Sequence, residues 1–276
     1  MAEILDAILW PLIALGGLGL VLGLGLGIAA KIFDVKTDPN VEKVRDLLPG
    51  ANCGGCGFPG CDGFAKAVVE GSADAAKCVA LSKDNLLAIG TVLGVEVKEG
   101  DKLVARVLCR GDSENCVSKY RYSGISDCRA AAALAGGPSA CQFGCVGLLT
   151  CGRACPFDAI YLNEKGIAAV DEDKCTGCGN CAQVCPKHCY AIMPKSRSVY
   201  VTCRTTKKGK AVAEACKAGC IACGICAKKC PEGAITIVDN LPVFDYDKCT
   251  GCGTCAVVCP KGAIYAPEQE KTSKQA

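Results

Sequence analysis

Residues 175–186 read CTGCGNCAQVCP, and the frame recurs as CIACGICAKKCP at 220–231 and CTGCGTCAVVCP at 249–260. A looser copy, CVGLLTCGRACP, runs over 145–156. A repeat this plain restricts the fold before any helix or strand is considered. Three thiols within seven residues converge on one metal centre more readily than they pair with distant partners. The 26 cysteines are not a disulfide scaffold, because such scaffolds are short, secreted and free of these tight clusters. Aromatic residues, at 5%, are too few for several large conventional cores. A net charge of +3 with interspersed signs gives no nucleic-acid signal, and a single histidine excludes His-rich metal chemistry.

The spacing C-x2-C-x2-C-x3-C-P is that of bacterial ferredoxins, in which the fourth cysteine serves the other cluster of a two-cluster module. Three cysteines on the loop cap one cluster. The fourth has turned onto a short helix and points away, and the proline starts the next segment with its φ fixed. The last two runs then assign as Cys220, Cys223, Cys226 and Cys259 for one [4Fe-4S] cluster, and Cys249, Cys252, Cys255 and Cys230 for the other. Cys175, Cys178 and Cys181 take Cys155. For their partner, Cys145, Cys151 and Cys185 are present, but Leu148 stands where the central cysteine belongs. Cys141 is the expected replacement, and a three-iron cluster is the alternative.

Each run precedes Ala-Ile, as CPFDAI, CPKHCYAI, CPEGAI and CPKGAI, the second with two extra residues, among them His188 and Cys189. Strand-like segments such as 160–162 and 235–238 follow, as in a βαββαβ ferredoxin module. Upstream, ANCGGCGFPGCDGF supplies Cys53, Cys56 and Cys61, and a helical stretch returns the chain to Cys78. Four thiolates suit another cubane, and zinc is the rival. Val107-Leu108-Cys109-Arg110 matches Val201-Thr202-Cys203-Arg204, so Cys109, Cys128, Cys203 and Cys216 could assemble a further cluster between the modules. The rival reading is that they are small apolar core residues. Cys116 and Cys189 are expected to be ordinary thiols, and His188 a surface histidine.

Between Asp6 and Lys31 lie 24 uncharged residues, long enough to cross a hydrocarbon core of about 30 Å. Acidic residues precede the run and Lys31, Lys36, Lys43 and Arg45 follow it, which predicts the N-terminus outside and the bulk of the chain in the cytoplasm. Gly19, Gly23 and Gly27 form a smooth stripe suited to another membrane helix.

The expected fold class is α+β. It comprises a transmembrane anchor (1–31), a linker (32–50), a small four-cysteine [4Fe-4S] domain (51–80) and a connecting segment (81–135). Two tandem two-cluster ferredoxin modules (136–198 and 199–265) and a polar tail (266–276) complete it. This order, with LLPGANCGGCGFPGCDGFA and CPFDAI, resembles the B subunit of the Rnf electron-transport complex, an ion-translocating oxidoreductase of the inner membrane. The cysteine sets give five [4Fe-4S] clusters, with a sixth open, and the resemblance implies Rnf-type membrane and flavin subunits as partners. It implies electrons taken from soluble ferredoxin and relayed toward the membrane, with bond-making catalysis left to the complex. The second module departs from the simplest family members and leaves the cluster count open. A ferredoxin-like component of another membrane hydrogenase or dehydrogenase is the alternative, and a tethered redox sensor or zinc adaptor a third. Lys207–Lys210 (KKGK) could steer an acidic ferredoxin or be a solvated loop.

Overall fold

The computed structural model describes residues 2–32, 38–97 and 100–267. Part of the expected linker, at 33–37, and the expected tail from 268 onward lie outside these described residues. The chain divides into two units, Met1–Lys43 and Val44–Ala276. In the first, α1 (Ala2–Ile32) contains a stretch, Leu12–Lys31, long and apolar enough to span a membrane, with none of it buried in the unit. A Cβ added at Gly19, Gly23 or Gly27 would meet nothing within 4 Å.

The remainder of the linker is not extended. Asp38 accepts the Asn40 amide at 2.8 Å and Pro39 opens α2 (Pro39–Leu47), the pairing of a capping carboxylate with proline at the first helical position. In the second unit Val44 and Leu48 are buried, as are Phe64, Ala65 and Val68 of α3 (Cys61–Val69). A 3-10 turn (Ala75–Lys77) and α4 (Lys83–Leu93) follow. Ser82 caps α4 by accepting the Asn85 amide, and the Asn85 side chain donates to the Leu47 carbonyl.

Two modules of matching topology occupy the rest. In the first, β1 (Leu103–Val107) pairs antiparallel with β4 (Tyr190–Pro194), enclosing the hairpin of β2 (Ile160–Leu162) and β3 (Ala168–Val170). In the second, β5 (Tyr200–Val201) pairs with β8 (Ile264–Tyr265) around the hairpin of β6 (Ile235–Val238) and β7 (Leu241–Phe244). The segment expected to be a mere connection therefore supplies an edge strand. It also holds α5 (Cys128–Ala133). Short helices α6 (Thr150–Arg153), α7 (Asn180–Val184), α8 (Lys210–Ala215), α9 (Ile225–Lys228) and α10 (Thr254–Val257) complete the modules. The cores are built from small residues and thiols: Val104, Ala105, Ala159, Cys151, Cys175 and Cys181 in one, and Val199, Ala256, Ile264, Cys226 and Cys255 in the other.

The four cysteine runs keep one frame throughout. A left-handed residue precedes each run's helix: Leu149, Gly179, Gly224 and Gly253. A second stands two residues after each proline, at Asp158, His188, Gly233 and Gly262. The next residue is Ala159, Cys189, Ala234 or Ala263, each at most 1% exposed. Its carbonyl accepts the amide of Asp171, Leu108, Asp245 or Thr202 respectively, at 2.7–2.8 Å. The expected two-residue insertion in the second run is thus corrected. Cys189 replaces the alanine and Tyr190 the isoleucine, and the following Ala191-Ile192 resembles the other runs by coincidence.

Arg106 of β1 links the modules. It is 7% exposed, ion-pairs with Glu172 and lies over the Tyr200 ring at 5.3 Å. Arg110 donates to the Gly262 carbonyl at 2.9 Å across the same junction. Removing one partner of a buried ion pair leaves a charge without compensation. Glu172→Gln should therefore destabilise the chain by about 3 kcal/mol, the low end for such losses because Glu172 is partly exposed. An anaerobic thermal melt checks this.

Candidate metal centres

Five hollows in the second unit are lined by thiols, four to each. Cys220, Cys223, Cys226 and Cys259 line one; Cys230, Cys249, Cys252 and Cys255 the next. Cys155, Cys175, Cys178 and Cys181 line a third. In each, the fourth thiol comes from the other run, because the short helix after the left-handed residue turns it away from its own loop. These three groups gather the residues that the spacing joined.

The remaining two hollows exchange a pair of residues relative to expectation. Cys145, Cys151 and Cys185 share theirs with Cys128, not Cys141. Cys141 instead lines the fifth with Cys109, Cys203 and Cys216. The reason is local. Asp127 caps α5 by accepting the amides of Arg129 and Ala130, and Thr150 accepts the Cys128 amide at 2.8 Å while donating to Asp127 at 3.1 Å. This clamp brings the start of α5 to the start of α6, where Leu148 lacks a thiol. Cys141, on a loop closed by its carbonyl to Gly144 N, faces the other way. The Asp127-Cys128 pair ahead of an alanine run is a helix-start signal, but nothing local says which loop it meets. Cys116 pairs across an isolated bridge with Cys216, and their thiols share a hydrogen bond.

The amino-terminal loop makes a sixth group. Cys53, Cys56 and Cys61 lie near enough to Cys78 to oppose its ionisation, which burial already disfavours. Asn52, in a left-handed conformation, accepts the Cys61 amide at 2.8 Å and holds the loop on α3. A Cβ at Gly55 would approach Cys178 Cα to 3.0 Å, so this loop rests directly on the third hollow.

The donor set fits iron–sulfur clusters. The thiols line hollows instead of converging on a point, and among the described residues no three His, Cys, Asp or Glu side chains are placed to hold a single ion. Backbone amides aim at the sulfurs: Ala105 at Cys175, Cys145 at Cys109, Cys189 at Cys185, Cys220 at Cys203 and Ala263 at Cys259, all at 3.3–3.4 Å. Thr202 keeps a buried hydroxyl without a partner among the described residues at the fifth hollow, where a bound group bearing acceptor sulfurs would take it. Arg110, Arg204 and Lys207 line the fifth hollow and offset negative charge. Burial pushes Cys109 and Cys181 up to about 12 and Cys220 and Cys255 to about 11. These sulfurs therefore stay protonated until metal displaces the protons. The exposed Cys252 is lowered instead, by the Thr254 hydroxyl.

Three family profiles match the chain: "Putative Fe-S cluster" over 48–80, "4Fe-4S dicluster domain" over 140–189 and "4Fe-4S binding domain" over 242–265. The chain is 46% identical over 245 residues to the B subunit of the Na(+)-translocating ferredoxin:NAD(+) oxidoreductase complex of Acetobacterium woodii, covering 89% of this chain and 74% of that one. It is 42% identical to the B subunit of the ion-translocating oxidoreductase complex of Methanosarcina acetivorans (85% and 89% covered). It is also 40% identical to the B subunit of the proton-translocating ferredoxin:NAD(+) oxidoreductase complex of Clostridium ljungdahlii (89% and 87%). The chain belongs to the B-subunit family of ion-translocating oxidoreductase (Rnf) complexes. It is an iron–sulfur electron-transfer subunit with [4Fe-4S] binding domains, and membership implies other Rnf subunits as partners. The apolar α1 fits a membrane-anchored member of the family.

The Asp127–Thr150–Cys128 clamp is testable without reference to electron flow. Thr150→Val deprives the Cys128 amide of its acceptor and should cost about 1–2 kcal/mol, whereas Thr150→Ser should be nearly neutral. Anaerobic melting temperatures compare the two.

Proposed function

We propose that this chain relays electrons one at a time through six [4Fe-4S] clusters, from a reduced ferredoxin to membrane partners of an ion-translocating ferredoxin:NAD oxidoreductase. The ligand sets are Cys249, Cys252, Cys255 and Cys230; Cys220, Cys223, Cys226 and Cys259; Cys109, Cys141, Cys203 and Cys216; Cys128, Cys145, Cys151 and Cys185; Cys155, Cys175, Cys178 and Cys181; and Cys53, Cys56, Cys61 and Cys78. The observation that carries the reading is the position of the third of these sets, Cys109, Cys141, Cys203 and Cys216, which lines the fifth hollow. The amide of Cys220 donates to Cys203 on one side and that of Cys145 to Cys109 on the other, at 3.4 and 3.3 Å. Each end of this ring is thus bonded to the backbone of a neighbouring set.

Other contacts support the same order. Cys226 and Cys255 lie within electrostatic reach of each other, as do Cys181 and Cys151, and the Gly55 loop rests on Cys178. Electrons enter at the carboxy-terminal module, where Cys223 and Cys252 are exposed. They leave through the Cys53–Cys78 cluster. When bound, each cluster supplies one-electron chemistry. The chain's own work is to hold the sulfurs, aim amides at them and exclude water. Lys207–Lys210 favour an acidic donor through electrostatic steering. In the membrane, α1 crosses once with its N-terminus outside, and the open Gly19–Gly23–Gly27 face packs on a partner helix.

Iron and acid-labile sulfide in the purified chain should match six cubanes, and Cys141→Ser should disturb the third while leaving the fourth spectroscopically intact. A second test breaks the relay at its middle. In Cys203→Ala, reduced ferredoxin should still reduce the two carboxy-terminal clusters, while reduction of the remaining centres slows at least about 100-fold. Undiminished transfer in freeze-quench spectra would remove the third cluster from the path.

A further inference from the structure

Among the four core positions that follow the runs' second left-handed residue and its small neighbour, three are isoleucine: Ile160, Ile235 and Ile264. The fourth is Tyr190. Like them it is buried, at 8% exposure, and it starts its strand at the same register. Its ring fills the isoleucine's place in the core beside Val104, Ala105, Ile160 and Cys181. The hydroxyl, however, has a partner that no isoleucine could serve. It donates to Cys151 Sγ at 3.0 Å, the only side-chain O–H donated to a sulfur of the Cys109–Cys141–Cys203–Cys216 or Cys128–Cys145–Cys151–Cys185 set among the described residues. A core that needed only volume would be met by isoleucine, as it is three times in this chain. A tyrosine hydroxyl in such surroundings is costly unless bonded, and the acceptor it reaches among the described residues is a sulfur lining the fourth hollow.

We infer that Tyr190 sets the reduction potential of the cluster held by Cys128, Cys145, Cys151 and Cys185, raising it through an O–H···S bond to Cys151. The inference rests on the proposed ligand sets. On reduction the cluster gains one electron and one unit of negative charge. No covalent bond forms or breaks, and the proton stays on the Tyr190 oxygen. The bond to sulfur strengthens as the charge on sulfur grows, so it stabilises the reduced form more than the oxidised one. Hydrogen bonds to the sulfurs are among the factors that set such potentials. The fourth cluster is also the one the relay meets on passing from the bridging ring into the amino-terminal half. A raised potential there holds the electron past the junction and disfavours its return.

The experiment is an anaerobic redox titration of the full chain followed by electron paramagnetic resonance. The signal of this cluster is identified as the one altered by Cys151→Ser. Tyr190→Phe keeps the ring and removes the donor. It should shift the reduction equilibrium of that signal about tenfold toward the oxidised form, about 59 mV lower for one electron, with the other signals unmoved. Proton hyperfine spectra of the wild type should show a deuterium-exchangeable proton coupled to this cluster and absent from the variant. Should Tyr190→Phe fold poorly, 3-fluorotyrosine at position 190 provides the second arm, since a stronger donor must move the midpoint upward. An unchanged midpoint and an unchanged exchangeable proton, with the Cys151-dependent signal present, overturn the inference alone. No Cys151-dependent signal at all, with the iron of that cluster missing, instead overturns the ligand set beneath it.

Discussion

Each cysteine run in this chain depends on a left-handed residue just before a helix of four or five residues. That reversal lets two or three sulfurs face one hollow while the last, one turn further on, faces another. L-residues resist this conformation at a cost of roughly 1–2 kcal/mol, which glycine escapes. Gly179, Gly224 and Gly253 meet the requirement in three runs. Leu149 meets it in the fourth, where a thiol is also missing beside it. The run that departs from the pattern in composition keeps its backbone path. The frame is therefore a property of the chain's path, which the thiols occupy when they are present.

From that frame the rest of the molecule follows. Because each run donates its final sulfur to its neighbour, the hollows come in pairs, and each pair is closed by an inner hairpin and an outer strand pair. Cys109 and Cys203 lie two residues beyond the ends of the outer strands β1 and β5, at equivalent places in the two modules, where Leu108 and Thr202 make the same hydrogen bond to equivalent carbonyls. Two module edges placed side by side bring these thiols to a common hollow that neither module could build alone. Arg106 and Arg110 hold the edges together through Glu172, Tyr200 and the Gly262 carbonyl.

The module cores mix alanine, valine and isoleucine with thiols and few aromatic rings. Buried thiols with raised pKa values line the chain's centre, and metal binding must release their protons. Cluster insertion is thereby linked to proton release from these thiols. The buried hydroxyl of Thr202, without a partner among the described residues, marks the same dependence at a single atom.

Whatever lies within one run of chain is legible from residue order: the apolar helix, the four-fold cysteine frame, the outward turn of each run's last thiol and the amino-terminal thiol loop. These features are set by spacing, because a few residues of backbone have few ways to turn. Long-range packing settles what no spacing encodes. It exchanges Cys128 and Cys141 between two hollows, because the capped start of α5 is clamped to Thr150, 22 residues away along the chain. It draws β1 from an apparent connector, since a strand is defined by the partner it pairs with. It also places Cys189 and Tyr190 in register with Ala and Ile, where letter similarity favours an insertion. Carbonyl acceptors and left-handed residues fix that register, and neither can be read from side-chain identity alone.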